Sequence, residues 1–324
     1  MIPYLDLHCD TLTDWIDRGQ TRDLYDLPDK MLDFKRLQQI GAMGEFFAIF
    51  FPPQEENGHA LTDEQIFSHS HDLYRQCMKQ HSDIIAPAHN LAELEQNHAE
   101  GKISAFLSIE DSRAVKGDLR QLEYFYAHDV RCMALTWNFG SMNYPNCFGA
   151  PNGPALQHVG LTDFGKEAVA YMQDLGILVD VSHLSDRGFW DVAEHTTKPF
   201  IASHSNCRSI CGILRNLDDD MIRTLSERGG VAGLNFCPDL TVKGAMECSA
   251  DDLAVHAAHL LNVGGEECMA LGTDFDGIGG QVEIDSPEKM PLLEQALRRQ
   301  GFTNRQLDKL FTLNAKRVIH DAMK

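Results

Sequence analysis

The chain is long for one domain and carries a large excess of acidic residues. It has 324 residues, of which 43% are hydrophobic, and its formal net charge is −20 at pH 7. Parallel α/β barrels routinely reach this length as one domain, so we expect a single domain over residues 1–324. Nucleic acids and anionic membranes attract basic surfaces, and the charge therefore argues against either as a partner.

Cysteine usage and the apolar segments indicate a cellular compartment. The nine cysteines are odd in number and scattered without Cys-x-x-Cys spacing, which suits reduced thiols better than a disulfide framework. The N-terminus has no basic segment followed by an apolar stretch, and no apolar run is long enough to cross a bilayer. We therefore expect a cytoplasmic protein without a membrane span.

Eight short apolar segments predict eight β-strands. They cover residues 4–8, 45–51, 103–110, 130–136, 176–183, 199–205, 231–236 and 268–274. Helix-period segments lie between most of them, for example 162–176, 185–195, 217–230 and 250–265. Eight strands alternating with helices predict an α/β fold, a (β/α)8 TIM-type barrel, with an open doubly wound sheet as the alternative. No glycine-rich phosphate loop follows any strand, which weakens that alternative.

Three segments interrupt or extend the repeat. Residues 52–102 predict an insertion after strand two, in which we expect the histidines at 69 and 71 to lie on a solvated helix face. Residues 138–160 are rich in Gly, Pro and Asn and predict an irregular loop over the active-site end. Thr303 followed by Gln306 predicts a capping box that opens a C-terminal closing helix.

Polar residues interrupt the first strand in the stretch YLDLHCDTL, residues 4–12. Residues i and i+2 of a strand project to the same side, so His8 and Asp10 would share a face and could hold one ion. A core histidine paired with a carboxylate is the alternative for this pair in isolation.

Further polar residues stand at the carboxyl ends of other predicted strands. Glu110 ends strand three, His183 and His204 end strands five and six, and Asp274 with Asp276 ends strand eight. In a barrel these ends form one rim, where catalytic sites are built. Imidazoles and carboxylates together suit zinc, with manganese, cobalt or iron as alternatives.

This set could hold two ions. His8 and Asp10 would bind one ion, His183 and His204 the other, and Glu110 would bridge them. Each residue has a purely structural alternative, such as a helix cap, a satisfied core histidine or a turn. The coincidence of all of them at strand ends favours a metal site.

The motifs DLHCDTL, SIEDS, DVSHLS, SHSNCRSICGILRN and LGTDFDG, in this order, resemble the membrane dipeptidase (renal dipeptidase) family of metallopeptidases. The resemblance implies an amidohydrolase-like barrel with two zinc ions that hydrolyses dipeptides, often with a D-residue at the C-terminal position, and is commonly a homodimer. It makes His8, Asp10 and Glu110 ligands of one zinc, and Glu110, His183 and His204 ligands of the other.

The resemblance also assigns residues to chemistry. Asp274 matches the proton-handling aspartate, and Arg215 matches the arginine that receives the substrate carboxylate; a surface ion pair with residues 218–220 is the alternative for Arg215. Where members carry a substrate-contacting histidine, this chain has Trp137. Asn138 or the zinc ions are the candidates to replace it. The glycine pair that follows the bridging glutamate in the family is also changed, to Asp-Ser.

The sequence therefore predicts a zinc-dependent dipeptidase of L,L and L,D dipeptides that uses a metal-bridging hydroxide. Glu110 and Asp274 would be catalytic, and Arg215, Trp137 and Asn138 would contact the substrate. An amidohydrolase acting on a non-peptide amide or lactone is one alternative. A metal-binding barrel with weakened catalysis is another.

Overall fold

A computed structural model describes residues 3–52, 61–137 and 146–324 of the protein. The strands are β1 (Leu5–Cys9), β2 (Gly44–Phe50), β3 (Ile85–Pro87), β4 (Ile103–Glu110), β5 (Val130–Ala134), β6 (Leu178–Asp180), β7 (Ala232–Leu234), β8 (Glu247–Cys248), β9 (Met269–Leu271) and β10 (Gln281–Val282). The helices are α1 (Asp14–Arg18), α2 (Phe34–Ile40), α3 (Asp63–Gln80), α4 (Leu91–Ala99), α5 (Leu119–Ala127), α6 (Asp163–Leu175), α7 (Asp186–His195), α8 (Asp219–Glu227), α9 (Pro238–Thr241), α10 (Ala250–Gly264), α11 (Met290–Arg299), α12 (Asn304–Asp308) and α13 (Asn314–Ala322).

A parallel sheet in the order β6-β5-β4-β2-β1-β9-β7 forms the centre of the fold. Isolated parallel bridges Asp180–Ile201 and Ala202–Ala232 connect its two outer strands and complete a ring of eight segments. The predicted sixth strand, residues 199–205, is thus present only as these two bridges. The expected TIM-type barrel is confirmed, and its helices follow the strands as in βα repeats.

Both faces of the sheet are buried, as expected for parallel strands covered by helices. One cluster of buried side chains takes residues from or directly beside every segment of the ring, including Leu5, Phe106 and Ile201, together with Val318 and Ile319 of α13. These strand residues precede the polar strand ends, so the C-terminal helix packs at the opposite end of the strands. The capping box of Thr303 and Gln306 at the start of α12 is also confirmed.

The insertion between β2 and β4 contains more regular structure than expected. It holds α3, β3 and α4, and β3 pairs in parallel with the start of β4 through Ile85 and Ile103. Strands β8 and β10 form a separate two-stranded sheet. The expected helices in 162–176, 185–195, 217–230 and 250–265 correspond to α6, α7, α8 and α10.

All nine cysteines are free thiols, and seven of them are buried. The expectation of reduced, mostly buried cysteines is therefore confirmed for the structure. Within residues 3–52, 61–137 and 146–324, no helix combines the length and apolar character that a membrane span requires.

Candidate metal centre

Glu110, the last residue of β4, lies at the centre of the site. Its Oε1 is 3.0 Å from His183 Nε2 and 3.4 Å from His204 Nε2. Its Oε2 is 3.8 Å from His8 Nε2. The two carboxylate oxygens therefore face different histidines, which is the geometry required of a residue shared by two ions.

The first group of possible ligands comes from β1 and the segment after β9. His8 Nε2 lies 3.3 Å from Asp10 Oδ2 and 3.8 Å from Asp274 Oδ1. The ligand atoms of His8, Asp10 and Asp274 all lie within 4.8 Å of one another, and so do those of His8, Glu110 and His204. Either set could hold an ion.

The second group consists of His183 and His204. Their Nε2 atoms approach to 2.8 Å, directly beside Glu110 Oε1. The His204 ring also stacks on His8, with ring centroids 3.9 Å apart. Both imidazoles are almost fully buried, so their nitrogens point into the centre and not into solvent.

Two further observations show that the centre suits a cation. Asp10 Oδ1 is buried and has no hydrogen-bond partner among the described residues. A Cβ atom on Gly277 would lie 2.0 Å from Asp10 Oδ2 and 2.6 Å from Asp274 Oδ1. Glycine thus lets the two carboxylates approach, although buried carboxylates repel one another unless a cation neutralises them. These residues fit divalent metal ions.

The backbone is strained where it presents these groups. His183 and Asp274 have φ values of 67° and 63°, in the left-handed region. Such a conformation costs about 1–3 kcal/mol and persists only where the surroundings enforce it. Around His183, Asn152 N and Thr136 Oγ1 both donate to the carbonyl oxygen, at 2.8 and 3.0 Å. The fold therefore fixes the direction of the imidazole.

The three histidines of the centre differ in the direction of their pKa shifts. At His8, burial opposes the charged form, but the carboxylates of Asp10 and Glu110 outweigh it and raise the pKa to about 10. At His183 and His204, burial and the cationic neighbours Arg215 and His8 lower the pKa well below the usual value. Neutral imidazoles are the form that binds metal.

Glu110 and Asp274 have raised pKa values. Burial, reinforced by Asp10 and Asp274, raises the pKa of Glu110 well above its usual range. Burial raises the pKa of Asp274 to about 6, against the opposing effect of His8. Asn235 Nδ2 donates to Asp274 Oδ2 at 2.9 Å and to the His204 carbonyl at 3.2 Å, which fixes the Asp274 carboxylate.

Arg215 is buried below the centre. Its Nη2 donates to the His204 carbonyl at 2.9 Å and its Nη1 donates to Ser205 Oγ, while Nε has no partner among the described residues. The alternative of a surface ion pair is wrong, because the side chain is only 7% exposed. Arg208 instead lies 3.8 Å from Asp218.

A cleft of about 250 Å³ opens onto the centre. Glu110, His183 and Asp274 are among its polar lining, and Phe50 and Trp137 form part of an apolar wall. The Trp137 ring lies 5.7 Å from the His183 ring and 5.1 Å from the Phe50 ring, measured between centroids. Arg215 is not among the lining residues. Asn138 lies outside the described residues.

The structure thus brings the five proposed ligands and Asp274 together at one end of the barrel. Asp276 has a different surrounding: Thr11 Oγ1 and the Met31 amide donate to its carboxylate at 2.5 and 2.7 Å. Sequence reasoning missed Asn235. It treated Gly277 only as a possible turn flanked by Asp274 and Asp276, and that turn was the available signal.

Comparison with known proteins decides the family. The model of the membrane dipeptidase family, peptidase family M19, matches residues 1–324. The chain belongs to this family. The resemblance noted in the sequence is therefore confirmed, and the protein is a hydrolase of a metallo-dipeptidase family.

Solved structures agree with this family assignment. A dipeptidase AC of peptidase family M19 has a TM-score of 0.88 and 26% identity, over 99% of this chain and 98% of the other. A metallopeptidase from Rhodobacter sphaeroides, liganded with a phosphinate mimic of the dipeptide L-Ala-D-Ala, has a TM-score of 0.88 and 26% identity, over 99% of each chain. An uncharacterised dipeptidase from Schizosaccharomyces pombe is 35% identical over 221 residues, which are 67% of this chain and 53% of that protein.

Proposed function

We propose that this member of the membrane dipeptidase family is a dipeptidase that uses two zinc ions per chain. The observation that carries the proposal is the position of Glu110, whose two carboxylate oxygens face His183 and His204 on one side and His8 on the other. A single shared carboxylate between two groups of ligands is the arrangement that a pair of ions needs.

We propose the division of ligands that the family resemblance implies. His8, Asp10 and Glu110 would hold one ion, and Glu110, His183 and His204 the other. When bound, two ions would lower the pKa of a water molecule so that it can attack near neutral pH, and would polarise the carbonyl of the scissile bond. Asp274 lies close enough to His8 to contact the first ion as well, so its role needs a separate test.

Asp274 is proposed to move the proton. Its pKa, raised to about 6 mainly by burial, lies near the range in which a carboxyl group can both accept and return a proton. The hydrogen bond from Asn235 holds Oδ2 and leaves Oδ1 facing His8. In the proposed reaction Asp274 accepts the proton of the attacking water and donates it to the departing amine.

Arg215 and the apolar wall of the cleft are proposed to select the substrate. Arg215 does not line the cleft, but its Nε has no partner among the described residues, and the guanidinium is proposed to bind the terminal carboxylate through charge-assisted hydrogen bonds. Trp137 would cover one side of the bound dipeptide, and Asn138 remains a predicted contact. The relative that binds a phosphinate mimic of L-Ala-D-Ala supports extending the proposal to L,D dipeptides, because a tetrahedral phosphinate resembles the transition state of amide hydrolysis.

The experiment that tests this function combines metal analysis with a substrate panel. The panel contains L,L and L,D dipeptides, their C-terminal amides, N-acyl amino acids and lactones. We expect two zinc ions per chain, hydrolysis of free dipeptides above all other classes, and loss of activity in a chelator that zinc reverses. Preference for lactones or N-acyl amino acids would support the amidohydrolase alternative, and bound zinc without turnover would support a binding role.

A single domain over residues 1–324, a homodimer and a cytoplasmic location remain predictions. Light scattering on the purified chain tests the homodimer directly. Limited proteolysis tests the single domain, because a two-domain chain would release a stable fragment.

A further inference from the structure

The imidazole of His204 is hydrogen-bonded on the side that faces away from the centre. Ser203 Oγ lies 2.7 Å from His204 Nδ1. The Ser203 hydroxyl in turn donates to Asp180 Oδ2. All three side chains are at most 2% exposed, so water does not compete for these hydrogen bonds.

Asp180 uses its two oxygens for different purposes. Oδ1 accepts the backbone amides of Ser182 and Ser203, at 2.8 and 2.9 Å. Oδ2 accepts the Ser203 hydroxyl. The backbone bonds fix the orientation of the carboxylate, and the remaining oxygen then fixes the direction of the serine hydroxyl, because a carboxylate can only accept.

This direction determines where His204 carries its proton. The Ser203 hydroxyl has one hydrogen, and Asp180 receives it. His204 Nδ1 must therefore donate to Ser203 Oγ, which places the imidazole proton on Nδ1. The lone pair of Nε2 is then free to face Glu110 Oε1, 3.4 Å away.

We propose that Asp180 and Ser203 are positioning residues that hold His204 in the tautomer whose Nε2 can bind metal. The inference rests on the proposed metal site but concerns two residues, the first of DVSHLS and the first of SHSNCRSICGILRN, to which the family resemblance assigns no role. Partners of this kind, which hold the distal nitrogen of a ligating histidine, typically change metal affinity 10–100-fold when they are removed. Asp180 and Ser203 would act through His204 and would not touch the substrate.

Asp180→Asn is a nearly isosteric test. The amide oxygen can still accept both backbone N–H groups, so the local fold is kept. The amide nitrogen replaces Oδ2 and donates to Ser203 Oγ, which reverses that one hydrogen bond. The serine hydroxyl then donates to His204 Nδ1, and the imidazole proton moves to Nε2, the atom that would otherwise bind zinc.

Two measurements on the full chain read out this change. Competition with a chromophoric chelator gives the zinc affinities, and ¹⁵N chemical shifts of labelled histidine in chelator-treated protein give the His204 tautomer. For Asp180→Asn we expect one zinc to bind about 10–100-fold more weakly and the proton signature to move from Nδ1 to Nε2. Ser203→Ala should also weaken that zinc and should abolish the preference for one tautomer.

Ser108→Ala is the matched control. It removes a buried hydroxyl near the same centre, and that hydroxyl has no hydrogen-bond partner among the described residues. We expect it to keep both zinc affinities and the wild-type tautomer. An unchanged His204 tautomer or unchanged zinc affinities in Asp180→Asn would overturn the inference. Failure of the wild-type chain to bind zinc would instead refute the proposed function, since the tautomer is measured without metal.

Discussion

Asp274 combines three features at one side chain. It occupies a strained backbone conformation, it lies beside Asp10 and His8 with a side chain that is only 14% exposed, and Asn235 holds one of its oxygens. Strain of this kind is retained where function requires a particular side-chain direction. The same position that makes Asp274 a good proton carrier also brings it within reach of a metal, so substitution must separate the two roles.

Asp274→Asn should lower kcat by about 10²–10⁴-fold, the usual contribution of a general base. KM and the zinc content should change little, because the amide keeps an oxygen and the remaining ligands are untouched. Steady-state kinetics and metal analysis measure both effects. Asp276→Asn is the control, since its carboxylate bonds Thr11 and Met31, and it should retain near-normal kcat. Zinc loss in Asp274→Asn would identify Asp274 as a ligand instead.

The candidate ligands could be predicted from the sequence, but the residues that hold the site in place could not. His8, Glu110 and His204 follow apolar runs, and a barrel places all such strand ends on one rim. Asn235 also stands near the end of a predicted strand, 231–236, but a neutral amide there does not show that it will contact Asp274, 39 residues away. The alternation of side chains between the two faces of β1 did not predict their directions fully, because the pairing of β1 with β2 is irregular between Asp6 and Cys9.

At the scale of elements, one cluster joins the insertion to the barrel. His71 of α3 and His89, before α4, bond opposite oxygens of Asp129, at 3.1 and 2.9 Å. The expected solvated face is confirmed for His69, which is exposed, but not for His71, whose side chain is only 15% exposed because it packs against Asp129. A helical pattern shows which face is polar, but it does not show that another polar loop packs there.

This cluster should make stability depend on pH. The hydrogen bond that His89 donates to Asp129 raises the pKa of His89, and burial and Arg131 oppose it less strongly. A histidine whose pKa is higher in the folded chain stabilises the fold fully at pH values below its unfolded-state pKa of about 6.5. That stabilisation is lost as the pH rises through the folded-state pKa. Burial alone would raise the pKa of Asp129, but the bonds from His71 and His89 and the charge of Arg75 lower it overall. The contribution of Asp129 to the free energy of unfolding is therefore lost only in acid, and it stays constant between pH 6 and pH 9.

His89→Gln should therefore reduce the difference in unfolding free energy between pH 6 and pH 9. We expect a change of about 0.2–1 kcal/mol, the range for partly exposed ion pairs. Urea denaturation at several pH values measures it, with His98→Gln, an exposed histidine on α4, as the control. Glu93 also accepts a hydrogen bond from His89, so Glu93→Gln should give a smaller effect of the same sign. An unchanged pH dependence in His89→Gln would contradict this account.

The strands that the apolar pattern of the sequence did not predict are very short. β3 has three residues and includes Pro87, and β8 and β10 have two residues each. Segments of this length contain too few residues for a period of two to be recognised. The sixth barrel segment keeps backbone hydrogen bonds to both neighbours, for example from Ile201 to the Val179 carbonyl and from Ala202 to the Val231 carbonyl, but over only a few residues. The Ser203 carbonyl oxygen also lies so close to Gly233 and Gly272 that a Cβ at either position would be 1.7 or 1.8 Å from it.

For the whole molecule, the centre is a local concentration of charge in a chain that is already acidic. The chain has a net charge of −20, and Asp10, Glu110 and Asp274 converge in a buried space. Their mutual repulsion and desolvation lower the stability of the metal-free fold. A bound cation would remove that cost and would bind only to the folded chain.

Zinc should therefore raise the thermal stability of the protein. A ligand that binds only the folded state stabilises it by about 2.7 kcal/mol per site at a free concentration 100 times Kd. Scanning calorimetry at fixed free zinc should show Tm rising in two steps as the two sites fill, and chelation should reverse the rise. His183→Ala removes a ligand of one proposed site only, so it should keep about half of the stabilisation and one zinc per chain. Loss of both ions in His183→Ala would show that Glu110 couples the sites too strongly for separate filling, and a Tm independent of zinc would contradict a metal centre in the barrel.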